Sequence, residues 1–357
     1  MLMLSGLIIG WDRIKEFEKG SLNPFPVFIS VIIVARNEED NILKTLSSVS
    51  NQTLDTDSFE VLIVDDFSSD KTSDIVKEFC VQHHNFHKFS FNKHKGKKKA
   101  VDYAIKRAKG DLIVTTDADC ESQIEWLKTI KDFYISSNAK MIIAPVQIKS
   151  TNWFEHMQAL DFLSLMATGA AASGIKKPIM NNGANLAFTK EAYLSLDDPT
   201  NRKISSGDDI FLLLNLKKKY PDKILFLKSR KAIVYTKPKK SLAGFISQRQ
   251  RWASKSKYYK DFDIIFTAII VLFTNLFLLT MLISIALSIQ FLFVFFIVFI
   301  LKSILDIIFL YKTSRFFEQK VLLKYFFPVQ LANLFLVSFL AFSGLFMKVK
   351  WKGRLIQ

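Results

Sequence analysis

Acidic residues stand directly after three short apolar runs. Ala35-Arg36-Asn37-Glu38-Glu39 follows the first run, Asp65-Asp66 the second, and Asp117-Ala118-Asp119 the third. Carboxylates brought together repel, so their convergence calls for a cation, and Mg²⁺ or Mn²⁺ prefer such oxygen donors. Mg²⁺ is typically held by one or two carboxylates while substrate phosphates complete its shell. A phosphate ligand has separate support in Lys93, Lys95, Gly96, Lys97, Lys98 and Lys99, which precede a helical stretch. The free N–H groups of a helix amino terminus attract phosphate oxygens, and Gly96 and Lys97 are the expected contacts. A lone Asp-X-Asp is weak, because Asp is common in turns and caps. The three clusters together carry the inference. His83, His84, His87 and His94 lack the spacing of a zinc site and read as a solvated turn and strand.

These residues need a scaffold that brings distant positions together. Residues 28–34, 61–64, 111–116 and 141–148 read as buried strands, with helical patterns at 40–48, 69–79, 97–109 and 123–134. Such alternation predicts βαβ units and a mostly parallel sheet, whose ligands lie beyond the carboxyl ends of the strands. The acidic clusters fall at those ends. Residues 154–171 form a moderately apolar helix expected to pack on the sheet face.

Composition separates this scaffold from the rest of the chain. There are 49 Lys and Arg against 33 Asp and Glu, a formal charge of +16, yet half of the 357 residues are hydrophobic and 34 are Phe. That combination excludes a disordered chain and suits a protein at an anionic membrane surface. Two cysteines, Cys80 and Cys120, support no disulfide framework. Residues 264–301 carry no charge over 38 positions and residues 325–347 none over 23. A crossing needs about 20 apolar residues, which gives segments at 264–284, 290–311 and 325–347. Lys302 and Asp306, four apart in the second, share a helical face. Residues 1–11 are uncharged but about half the length of a crossing.

The order of the motifs resembles the family 2 glycosyltransferases, nucleotide-sugar enzymes of the GT-A fold. Residues 31–38, Val-Ile-Ile-Val-Ala-Arg-Asn-Glu, resemble the family's first strand, and residues 64–72 its uridine-binding turn. Gly96-Lys97 is similar to the diphosphate segment and Asp117-Ala118-Asp119 to the metal signature. Gly183-Ala184-Asn185 resembles the sugar and acceptor loop, and Asp208-Asp209 falls where the family has its catalytic pair. Gln248, Arg251 and Trp252 complete a Gln-X-X-Arg-Trp pattern of processive polysaccharide synthases.

The resemblance implies a GT-A α/β domain with a Rossmann-like, mostly parallel sheet over 28–240, preceded by an anchor or truncated membrane helix at 1–27. A basic interfacial helix at 241–260, a transmembrane region at 264–347 and a basic tail at 348–357 follow. It implies an inverting transfer in which Asp209 is the general base and Asp208 orients it. Ala35, Asn37, Glu38, Asp65, Asp66, Gly96, Lys97 and Asp117 would bind the nucleotide sugar, with Asp66 toward uracil. Asp119 and Asp117 would hold Mg²⁺ or Mn²⁺, while Gly183, Asn185, Gln248, Arg251 and Trp252 would meet acceptor and diphosphate. The implied partners are a UDP-sugar, a polysaccharide or lipid acceptor and membrane lipids, with no nucleic acid.

Nucleotide sugars are cytosolic, so the catalytic domain of a multi-pass membrane enzyme is expected in the cytoplasm. Eight Lys or Arg and no acid between 237 and 260 agree with the positive-inside tendency. Three crossings would place Lys348, Lys350, Lys352 and Arg354 outside, against it, unless the last segment, interrupted by Pro328, does not cross fully or the 38-residue run divides differently. Single-sugar transfer to a membrane lipid competes with processive synthesis. Nucleotidyl transfer is disfavoured, since no Gly-rich loop follows the first strand. A basic scaffold binding nucleic acid is the non-enzymatic alternative.

Overall fold

The computed structural model describes residues 1–18, 26–201, 204, 206–346, 349–351 and 354–356. Of the expected basic tail, Lys348 and Lys352 therefore lie outside the described residues, as does much of the segment 19–27. The chain divides into two compact units, both discontinuous. One comprises Ile14–Lys149 and Met180–Lys237; the other comprises Met1–Arg13, Ser150–Ile179 and Pro238–Gln357.

The first unit is built on strands β1 (Ile29–Ala35), β2 (Phe59–Asp65), β3 (Phe86–Ser90), β4 (Leu112–Asp117), β5 (Glu121–Ser122), β6 (Met141–Ile143), β7 (Val146–Ile148), β8 (Leu186–Thr189), β9 (Ile224–Phe226) and β10 (Val234–Thr236). Seven form one sheet in the order β3-β2-β1-β4-β8-β6-β9. The continuous Ile and Val runs of β1, β2 and β4 are buried on both faces, as parallel strands covered by helices must be. β1 pairs parallel with β2 and β4, and the register sets Ala35 opposite Asp65 and Val34 opposite Asp117. The carboxyl ends of three strands are therefore level along one edge. β8 runs antiparallel to both β4 and β6.

The expected strand 141–148 is instead two. β6 joins the large sheet, while β7 pairs with β10 in a small sheet ordered β5-β10-β7. Pro145 lies between them and has no N–H to give a ladder; its carbonyl accepts from Val234 N at 3.0 Å.

The second unit is helical. The helical segments Phe262–Ser284, Gln290–Phe316 and Lys320–Ser343 are long and apolar enough to cross a membrane, the third taking in most of the helix Phe326–Phe346. Pro328 does not interrupt that helix: it sits in the first turn, where no intrahelical N–H bond is lost. Lys302 Nζ approaches Asp306 Oδ2 at 2.5 Å, and Gln330 donates to the same oxygen at 2.7 Å. The helix Trp153–Gly174, expected on the sheet face, belongs to this unit and packs against the helix Leu2–Arg13. Their backbones approach closely at Gly10, where a Cβ would lie 2.1 Å from the carbonyl oxygen of Ala171.

Candidate active site

The loops after β1 and β2 are laced together at the level sheet edge. Asn37 Oδ1 accepts from Ser69 N at 2.9 Å, and Glu38 N donates to Thr72 Oγ1 at 2.8 Å. Glu38 itself accepts from Asn41 Nδ2, and Asp70 from Thr72 N and Glu39 N. Burial raises the Asp70 pKa, but these hydrogen bonds outweigh it and hold the carboxyl below its ordinary value. Ala35 is buried, and its carbonyl accepts from Asp66 N at 2.9 Å. Asp65 folds onto Ser68, accepting from its N–H at 3.2 Å.

Asp66 faces the phosphate-loop candidate. Its oxygens accept from Lys95 N at 2.7 Å and Gly96 N at 3.0 Å, and His94 Nδ1 abuts the same carboxylate. His94 was not expected here, and its spacing in the sequence carries no sign of the contact. Gly96 adopts φ of 92°, a left-handed conformation that suits glycine, and caps the helix Lys97–Arg107.

A lysine in a first helical turn is opposed by the helix dipole, so Lys97 needs acidic company. It has three such neighbours. Its ammonium contacts Asp117 Oδ1, and it lies in the field of Asp208 and Asp209. Burial lowers its pKa, but these carboxylates outweigh that and raise it far above the ordinary lysine value. Lys97 of the phosphate-loop candidate thus touches the Asp-X-Asp and feels the charge of the Asp-Asp pair.

Asp208 and Asp209 open the helix Asp208–Lys219, which Gly207 caps with φ of 82°. Asp209 Oδ2 accepts from Gly183 N at 3.1 Å and Oδ1 from Ile210 N at 2.8 Å, while Asn181 Nδ2 donates to its carbonyl at 3.0 Å. Gly183 is thereby a support for Asp209. Asn185 is a residue of this loop expected at the acceptor. It is fully buried, with Oδ1 accepting from Trp126 Nε1 at 2.9 Å and Nδ2 donating to the carbonyls of Pro145 and Ala232 at 2.8 Å each. Both amide N–H groups and one lone pair of the oxygen are thus engaged within the protein.

Asp117 and Asp119 present carboxylate oxygens within 4.8 Å of each other and of Cys120 Sγ. The two oxygens fit a hard divalent ion. The thiol fits less well: burial above all pushes its pKa well above the ordinary value, so it stays protonated, 3.6 Å from Asp119 Oδ1.

Similarity to known proteins agrees with this layout. The glycosyl transferase family 2 model matches residues 30–194. Over those residues the chain is similar to a family 2 glycosyltransferase domain. The chain is 34% identical over 181 residues to glycosyltransferase AglE of Haloferax volcanii, covering 51% of this chain and 59% of that protein. It is 35% identical over 109 residues to the dolichyl N-acetyl-alpha-D-glucosaminyl phosphate 3-beta-D-2,3-diacetamido-2,3-dideoxy-beta-D-glucuronosyltransferase of Methanococcus voltae, covering 30% of this chain and 34% of that protein. The chain thus spans less than two thirds of either relative. Among solved structures, the mannosyltransferase PcManGT of Pyrobaculum calidifontis, in complex with GDP-Man and Mn²⁺, has a TM-score of 0.58 at 15% identity. It covers 97% of this chain and 96% of that one. The glycosyltransferase domain has the GT-A-like fold.

Asp208 and Asp209 lie beyond the residues matched to the family but within the same unit. Gln248, Arg251 and Trp252 lie in the helical unit, on the helix Leu242–Ala253. There Trp252 is half-buried near Phe162, at 6.3 Å between centroids, and the Arg249 guanidinium sits 4.5 Å over its ring. Arg249, which sequence reading passed over, is buried and pairs with Asp161. The only hint was a cation one turn from Phe245 on an otherwise amphipathic stretch.

Proposed function

We propose that this glycosyltransferase moves a sugar, with inversion, from a nucleotide-sugar donor of the UDP class to a lipid-linked acceptor at the cytoplasmic face of a membrane. The observation that carries the reading is Lys97, beside Asp117 and in the field of Asp208 and Asp209. A strongly basic side chain among four acids, counting Asp119, suits a cleft that binds a diphosphate and removes a proton. Asp209, fixed by the Gly183 and Ile210 N–H groups, takes the proton of the acceptor hydroxyl as it attacks the anomeric carbon. Such a base typically contributes about 10²- to 10⁴-fold. Asp208 orients the acceptor, and Lys97 with the Gly96 turn faces the diphosphate. Asp117 and Asp119 would hold Mg²⁺ or Mn²⁺, which supplies charge to stabilise the departing diphosphate.

The lipid acceptor is supported by the three apolar helices and by the dolichyl phosphate named for the Methanococcus voltae relative. The Gln-X-X-Arg-Trp pattern supports the polymer alternative. A diphosphate-release screen across UDP- and GDP-sugars, with and without Mg²⁺ or Mn²⁺, tests both. Release is expected to need lipid acceptor and divalent ion, to fall to background in EDTA, and to leave the lipid one sugar longer. A ladder of lengthening chains would defeat single transfer, and no release from any donor would sink the enzyme reading.

A further inference from the structure

The helical unit contains a groove of about 790 Å³ between the helices Trp153–Gly174, Leu242–Ala253 and Phe326–Phe346. Trp153, Phe245, Val329, Ala332, Leu336 and Phe339 are among its lining residues. One wall is a helix apolar enough to cross a membrane. From Val329 to Phe339 that wall rises ten residues, about 15 Å at 1.5 Å per residue. That is about half of the hydrocarbon core of a bilayer, the depth of one leaflet.

The groove is not uniformly apolar. Lys240 lines it, is exposed, and has no acidic partner among the described residues. Asp161 also lines it and is taken up by Arg249. Arg249 is only 5% exposed, yet its Nε and Nη1 find no hydrogen-bond partner. Arg249 lies behind the groove wall, against the lining residues Asp161 and Phe245, so the exposed Lys240 ammonium is the cation that suits an oxyanion with several acceptor oxygens.

We propose that this groove holds the hydrocarbon chain of a phosphate-bearing membrane lipid, whose anionic group is read by Lys240. The proposal rests on the lipid-acceptor reading and adds where the lipid sits and which residue selects its charge. The apolar wall takes one chain from the surrounding leaflet. Charge selection then excludes neutral lipids that share the same chain.

The test uses the full chain in nanodiscs of phosphatidylcholine, with a long-chain prenyl phosphate carrying a terminal diazirine as probe. After irradiation, label is expected on peptides spanning 153–161 or 329–339. Ala332→Trp, which fills the groove from an exposed wall position, is expected to lower labelling about tenfold. Unlabelled prenyl phosphate is expected to compete about tenfold better than the matching neutral alcohol, inorganic phosphate not to compete, and Lys240→Ala to narrow the gap between phosphate and alcohol. Label spread over outward helix faces and indifferent to Ala332→Trp, or phosphate and alcohol competing equally, would overturn the proposal. Diphosphate release from the donor by the unaltered protein is read in the same preparation after adding a sugar-bearing prenyl phosphate and Mg²⁺ or Mn²⁺. Release without groove labelling defeats this inference alone, whereas labelling without release from any donor defeats the transferase reading alone.

Discussion

Asp209→Asn separates chemistry from folding. The substitution keeps the shape of the side chain but leaves one oxygen where two accept, from Gly183 N at 3.1 Å and Ile210 N at 2.8 Å. Losing one such bond costs about 1 kcal/mol, or a fall in Tm of about 2–4 °C for a unit of this size. Against a typical stability of about 5–15 kcal/mol, the folded population hardly changes. The proton, however, has no acceptor. Loss of a general base slows turnover by about 10²- to 10⁴-fold, equivalent to about 2.7–5.4 kcal/mol on the barrier. Diphosphate release at saturating donor and acceptor, paired with thermal unfolding of the same sample, reads the two effects apart. Turnover within about tenfold of the unaltered protein, in a variant that unfolds normally, would refute Asp209 as the base.

Other consequences are equally open to measurement. Asn185→Ala removes three hydrogen bonds from a fully buried position and is expected to cost about 2–4 kcal/mol in denaturant unfolding. The acceptor KM of the folded variant should be unchanged, and a raised KM would return Asn185 to the binding site. Gly10→Ala places a methyl 2.1 Å from the Ala171 carbonyl oxygen and should destabilise by about 1–3 kcal/mol, read as a lower Tm in micelles; an unchanged Tm would deny the close approach. Asp70 has a depressed folded pKa, so its contribution is fully present above the ordinary aspartate value near pH 4 and is lost as pH falls through the folded value. Asp70→Asn should therefore flatten stability against pH below about pH 4 and leave its slope at pH 7 unchanged.

Strands β1, β2 and β4 were legible because each centres on at least three consecutive aliphatic residues, and the sheet brings Asp65 and Asp117 to one edge through simple register. The antiparallel β8 was not legible. Its four residues Leu186–Thr189 are too short for a period to be counted. β3 hid for a different reason: His87 and Lys88 interrupt its apolar pattern at the sheet margin. The Pro145 break was visible in the sequence but lay inside a run that reads as one strand. In the site, residue type and spacing pointed to the acids. They did not reveal that Lys97 joins Asp117 or that Asn185 bonds Trp126 and two backbone carbonyls, because both depend on contacts from remote elements. The helix Trp153–Gly174 has too little amphipathic contrast to say which partner it covers, and long-range packing decided that.

The interleaving of the two units has a practical corollary for dissecting the protein. The polypeptide passes from one to the other four times, near residues 13, 149, 179 and 237. A stop codon placed before the first long apolar helix would therefore not liberate the catalytic part as an independent soluble fragment. It would leave the helix Trp153–Gly174 still tethered in the middle of the sheet sequence, stripped of its packing against the helices Gln290–Phe316 and Phe326–Phe346. Excising that helix along with the carboxyl-terminal ones, and bridging 149 to 180 with a short flexible linker, is the truncation that this connectivity recommends.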